Sequence, residues 1–167
     1  MSRPIFPTTL DHWAGATLAA SFALLLGALA FQHVGGLPPC QMCYWQRYGH
    51  LAVLAFAWGA LLPVATPARV ALLALAGVAL LATAGIGAYH AGVEWKWWQG
   101  PAGCSATSGV GKSLEELRRM VLGTKMVRCD EIPWSLLGLS MAGWNALISA
   151  ALAAAALTGA WRCAARA

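Results

Sequence analysis

Charge is scarce in this sequence. Only 10% of its 167 residues are Asp, Glu, Lys or Arg, against about 25% in a typical soluble domain. At 59% hydrophobic residues, one soluble core of this size could not bury the apolar surface, whereas a bilayer solvates it. No Lys/Arg stripe is dense enough to track a nucleic-acid backbone, which excludes nucleic acid as a partner. No sequence repeat, soluble domain or βαβ pattern is evident, and the last absence excludes a thioredoxin fold. What is abundant is tryptophan, nine in all, a residue that favours the membrane–water boundary. The formal net charge of +5 suits a surface of anionic lipid.

A spanning helix needs about 20 mostly apolar residues. Four segments qualify, and the expected spans are residues 13–32, 44–62, 70–91 and 136–160. The first is read as a retained span rather than a signal peptide, because the apolar run outlasts a usual h-region and lacks a clear cleavage site. The fold class is therefore all-α: an integral membrane four-helix bundle in a single domain, and a monomer. Gly85-Ile86-Gly87-Ala88 and similar stretches let membrane helices approach closely. The connections are unequal. Residues 33–43 and 63–69 are short and rich in Pro or Gly, whereas 92–135 is a long loop holding most of the charge. Within that loop Ser113 and Glu116 form a capping box. Leu114, Leu117 and Val121 share one face, and Gly123 is a stop. This predicts a short amphipathic helix lying on the membrane surface.

With four spans, the first and third loops share one side, so Cys40, Cys43, Cys104 and Cys129 face one compartment and Cys163 the other. The Lys/Arg count opposes cytoplasmic termini: Arg3, Arg69, Arg162 and Arg166 on the terminal side, against Arg47, Lys96, Lys112, Arg118, Arg119, Lys125 and Arg128 on the cysteine side. The cysteines argue the other way, since an even set on one face suits an oxidising compartment. They are given the greater weight, which puts the termini in the cytoplasm. Cys163 reads as a small apolar residue at a helix end.

Cys40-Gln41-Met42-Cys43 opens the second span. A helix N-terminus favours thiolate, the reactive form, and sulfurs three residues apart can close a small ring. Tyr44 after Cys43 rules out haem attachment. A zinc site built from the four cysteines needs a second pair with knuckle spacing, which is lacking; purely structural disulfides remain an alternative. Arg47 follows Cys43 by four residues on the same helical face. A cation at the edge of a span is costly and usually functional, so Arg47 is a candidate to stabilise a Cys43 thiolate or an anionic electron acceptor. His90 ends the third span on the cysteine side, at the depth of Arg47. His12, His33 and His50 are weaker candidates.

Together these features resemble the DsbB family, the disulfide bond formation protein B of bacterial inner membranes. The resemblance rests on the four spans, the C-x-x-C, Arg47, the segment Tyr-His-Ala-Gly-Val-Glu-Trp from Tyr89, the distant pair Cys104 and Cys129, and the stretch from Cys129 to Asn145. It implies a membrane thiol oxidase with catalytic Cys40, Cys43, Cys104 and Cys129. A reduced periplasmic partner of the DsbA type would attack the Cys104–Cys129 disulfide, through Cys104. Electrons would pass to Cys40–Cys43, and Cys43 would reduce a bound quinone, ubiquinone or menaquinone, beside Arg47 and His90. Gln46 is given no catalytic role. A vitamin K epoxide reductase-like enzyme is the nearest rival, but its C-x-x-C usually lies late in the bundle. A scaffold with structural disulfides is the other.

Overall fold

The computed structural model describes residues 9–101, 104 and 127–166. Four long helices make up most of them: α1 Thr9–His33, α2 Gln41–Leu61, α3 Thr66–Glu94 and α4 Met141–Ala164. The protein is a helical membrane bundle. Three of the helices (α1, α3 and α4) are long and apolar enough to cross a bilayer. α2 matches them less well because Gln41, Gln46, Arg47 and His50 interrupt its first half, and the last three line the cavity described below. The expected amphipathic helix at 113–123 lies outside the described residues.

Small side chains set how closely the helices pack. The interior is mainly alanine, with Ala57, Ala60, Ala76, Ala153 and Ala156 fully buried around Val53, Leu73 and Leu80. Hydrophobic burial cannot drive association inside lipid, so close van der Waals packing has to. At Gly87 a side-chain carbon would come within 3.1 Å of the Ala142 carbonyl and the Ala146 nitrogen, so α3 and α4 touch backbone to backbone there. Gly85, two residues earlier, faces open space. Large apolar residues such as Phe22, Leu51, Trp58, Val78 and Leu147 point outward, as lipid-facing residues should.

The fourth helix begins later than the expected residue 136. Ser135–Leu136 and Leu139–Ser140 instead form a minimal antiparallel hairpin, β1 and β2, pairing Ser135 with Ser140 and Leu136 with Leu139. Leu137 (φ 53°) and Gly138 (φ 80°) make its two-residue turn, and positive φ at both central positions is what such a turn requires. Ser140 then caps α4, its hydroxyl accepting the Gly143 N–H at 3.1 Å. The apolar run Leu136-Leu137-Gly138-Leu139 resembled helix because hydropathy does not register backbone handedness.

At the end of α3, Trp95, Trp97 and Trp98 cluster. Trp98 stacks on Tyr89 at 5.7 Å and donates to the Tyr89 carbonyl at 2.8 Å. Its ring lies where a side chain at Gly92 would be, so Gly92 permits the fold-back. Clustered aromatics at the end of an apolar helix are what a membrane–water boundary favours. At the other end Arg69 pairs with Asp11 and donates to the Ala60 carbonyl at 2.7 Å, tying α1, α2 and α3.

Candidate functional site

The site gathers where α1 and α3 end and α2 and α4 begin. Pro38-Pro39 delivers an extended chain to Cys40, whose backbone (φ −79°, ψ 174°) is that of a helix cap. Cys40 is the N-cap of α2, and its sulfur accepts the Cys43 N–H at 3.4 Å. The two sulfurs lie 3.2 Å apart. Hydrogen bonding from Cys43 holds the Cys40 thiol well below its ordinary value against the opposing effect of burial, and His90 adds to it. The helix-start argument thus falls on Cys40, the capping sulfur, rather than on Cys43.

His90 reaches the sulfurs from α3. Its Nε2 lies 3.6 Å from Cys40 Sγ and 3.9 Å from Glu94 Oε1. Glu94 is one turn further along the same helix and buried, and it accepts a hydrogen bond from Ser140, the cap of α4. His90 Nδ1 meets Gln46 Nε2 at 3.0 Å. Glu94, Ser140 and Gln46 were not expected here. The signals existed: Glu94 follows His90 by four residues, which puts both on one helix face, and Gln46 is a polar side chain within a span.

Cys104 and Cys129 form a disulfide with Cα atoms 5.2 Å apart. Cys129 N–H donates to the Cys104 carbonyl at 2.7 Å, and Cys104 N–H to Pro101 at 2.9 Å. The loop pair rests on the helix pair: Cys40 Sγ, a His90 ring nitrogen and Cys129 Sγ all lie within 4.8 Å of one another, and all three residues are buried. This trio has donor types a metal would accept, but Cys129 in a disulfide has no thiolate to give. Cys163 lies apart, buried in the last turn of α4.

Asp130 anchors the loop. It accepts from Arg128 Nε at 3.0 Å and Nη2 at 2.8 Å, and from Lys96 Nζ at 2.7 Å. Arg128 above all, then Lys96, pulls its carboxyl far below the usual carboxylate range. A depressed carboxylate stabilises fully above its unfolded value of about 3.9 and loses that contribution only as pH falls through the lower folded value. Hydrogen exchange of residues 127–131, corrected for intrinsic rate, should therefore match at pH 7 and pH 5. Asp130→Asn should speed it about fivefold at both, a modest effect because the Lys96 and Arg128 side chains are solvent-exposed. Marked loosening of the unaltered chain by pH 5 would refute the clamp.

Beside the sulfurs opens a cavity of about 770 Å³ between α1, α2 and α4, within the range of small-molecule sites. Ala28, Phe31, Leu37, Trp144 and Ile148 give it apolar walls, and Cys40, Cys43, Arg47 and His90 line its polar side. Arg47 does not hydrogen-bond Cys43. Its guanidinium donates to Gln32 Oε1 at 2.5 Å and to the Ala28 carbonyl at 3.2 Å, and lies 5.6 Å from the Tyr44 ring centre. Its Nε is buried with no hydrogen-bond partner among the described residues. A buried donor left unmade is costly, so this atom asks for an acceptor in the cavity.

Residues 11–159 match the family model for Disulfide bond formation protein DsbB. The chain belongs to the DsbB family. Curated relatives named Disulfide bond formation protein B agree with this membership. That of Pasteurella multocida is 33% identical over 145 residues, covering 80% of this chain and 76% of its own. That of Verminephrobacter eiseniae is 36% identical over 137 residues, with the same coverage. That of a Polaromonas species is 33% identical over 158 residues, 89% of this chain and 92% of its own. No solved structure matches significantly. This DsbB-family chain is thus a membrane protein of disulfide bond formation, and its cysteines are the residues that can carry such chemistry.

Proposed function

We propose that the protein is a quinone-dependent thiol oxidase of the bacterial inner membrane. Its termini lie in the cytoplasm and both cysteine pairs in the periplasm, where it reoxidises a DsbA-like disulfide donor. The observation that carries this reading is the contact of Cys40 with Cys129 at the rim of an apolar cavity holding Cys43 and Arg47.

The relay follows from which sulfurs adjoin. The partner's thiolate attacks Cys104, and the partner's second thiol resolves the mixed disulfide, leaving Cys104 and Cys129 reduced. The Cys129 thiolate attacks Cys40 in the Cys40–Cys43 disulfide, and Cys43 leaves with the electron pair. Cys104 then attacks Cys129, the Cys40–Cys129 bond breaks and Cys40 leaves as thiolate. The result is the state described here: a Cys104–Cys129 disulfide with Cys40 and Cys43 as thiols. Thiol–disulfide exchange is faster when the departing sulfur has a low pKa, which suits Cys40, held low by its neighbours.

The cavity fits a quinone. Its walls are apolar, it lies where α1 ends and α2 and α4 begin, and the unpartnered Arg47 Nε offers a donor to a carbonyl oxygen. A bound quinone supplies a sink for two electrons and two protons, which a donor as oxidising as DsbA (near −120 mV) requires. Arg47 would hold a carbonyl oxygen of such a group, Cys43 lines the same space, and Phe31 and Trp144 would flank it with apolar surface. Arg47→Ala should raise the apparent KM for quinone tenfold or more, since a hydrogen bond to a charged group is worth about 1.5–3 kcal/mol. Exchange with the reduced partner should change less than about twofold. Steady-state quinone reduction in detergent checks this; an unaltered KM would remove Arg47 from the site.

A further inference from the structure

A chain of buried amides and imidazoles runs through the bundle from His50 to the sulfurs. His50 Nε2 lies 2.9 Å from Asn145 Oδ1, Asn145 Nδ2 lies 2.7 Å from Gln46 Oε1, and Gln46 Nε2 lies 3.0 Å from His90 Nδ1. One backbone atom settles the direction of these bonds. The Met42 carbonyl can only accept, and it lies 3.2 Å from Gln46 Nε2, so that atom is the amide NH2. Gln46 Oε1 therefore faces the Asn145 NH2. His90 Nδ1, which faces a donor, is the bare nitrogen of a neutral ring. The ring proton sits on Nε2, the atom beside Cys40 Sγ and Glu94 Oε1. The same logic makes His50 Nε2 a donor to Asn145 Oδ1.

We propose that Gln46, itself held by Asn145, is a positioning residue for the disulfide relay: it locks the His90 proton on Nε2, so that the imidazole donates a hydrogen bond to Cys40 as that sulfur leaves Cys129. The proposal rests on the relay above. In the step concerned, the Cys104 thiolate attacks Cys129 Sγ, the Cys104–Cys129 bond forms and the Cys40–Cys129 bond breaks. The bonding pair goes to Cys40. No proton need transfer; the Nε2–H is already in place to stabilise the new charge. The opposite tautomer would turn a lone pair on the thiolate and oppose its departure. While Cys40 is tied in a disulfide, Glu94 Oε1, 3.9 Å from the same nitrogen, can take over that N–H only after a small approach, since this exceeds hydrogen-bond length. The other groups beside this sulfur are Cys43 Sγ on α2 at 3.2 Å and, from the loop, Cys129 Sγ within 4.8 Å.

Histidine 15N resonances distinguish a bare ring nitrogen from a protonated one. The test uses full-length protein in detergent with Cys104–Cys129 oxidised and Cys40 and Cys43 reduced. His90 should carry its proton on Nε2. In Gln46→Leu the ring loses its fixed donor and should become a mixture of tautomers. Alkylation of Cys40 by iodoacetamide at pH 6, followed on the isolated peptide by mass spectrometry, should slow about tenfold, the worth of one hydrogen bond to a charged group. Asn145→Leu acts one link away and should give the same change in lesser degree, which keeps the test available if Gln46→Leu does not fold. An Nδ1–H tautomer in the unaltered protein overturns the proposal. So does a Gln46→Leu protein whose tautomer and Cys40 reactivity are both unchanged. Neither measurement needs quinone or partner, so a failure of the proposed oxidase activity would be seen separately.

Discussion

Cys43→Ser protein should reduce quinone no faster than background, a loss of at least about a thousandfold. The expectation follows from the sulfur geometry. Cys40 and Cys43 lie 3.2 Å apart and can close a disulfide, while the Cys40 sulfur lies within 4.8 Å of Cys129 in the loop pair. Without Cys43 the electrons that reach Cys40 cannot be withdrawn as a pair. The loop disulfide is still intact, so the variant should oxidise one equivalent of reduced partner and then stop. A stopped-flow trace with a single-turnover burst and no steady state is the expected record. Continued turnover would sink the relay. A protein whose disulfides were only structural would show no difference from the unaltered chain.

The second large effect separates the two halves of the relay. Cys104→Ser should abolish partner-driven quinone reduction, again by about a thousandfold or more. Reduction driven by a small dithiol such as dithiothreitol should persist within about tenfold. A small dithiol needs only the Cys40–Cys43 pair, which lines an open cavity. A protein partner needs the loop disulfide, whose exchange begins when a thiolate attacks one of its sulfurs. Parallel assays with the two reductants read the difference directly. Equal loss in both would mean that the loop pair serves the folding of the site rather than electron transfer.

Much of this was legible in the sequence, for identifiable reasons. Membrane helices announce themselves by composition, because every lipid-facing position must be apolar. The C-x-x-C motif and Arg47 declared themselves by local spacing. His90 could be placed at the cysteine end of the bundle by counting residues along a span. What escaped was what depends on contacts between distant segments. Ser140 and Glu94 are 46 positions apart and Gln46 and Asn145 are 99 apart; spacing carries no signal for such pairs. Gln46 looked inert because its contact with the His90 imidazole is a matter of donor direction rather than residue type. The choice between Cys40 and Cys43 as the charged sulfur also lay beyond spacing, since it turns on which residue caps the helix. The hairpin before α4 was hidden by its leucines, one of which adopts a positive φ that apolar character does not foretell.

The bridge between Cys104 and Cys129, 25 positions apart, also makes the redox state of this enzyme visible on a gel. A single protease nick anywhere between the two positions would leave one band while Cys129 is bonded to Cys104, or to Cys40 midway through the relay, and two once Cys129 is free of both. The nicked protein would thus report, lane by lane, how far a reduced partner has opened its outer couple, with no chromophore and no label.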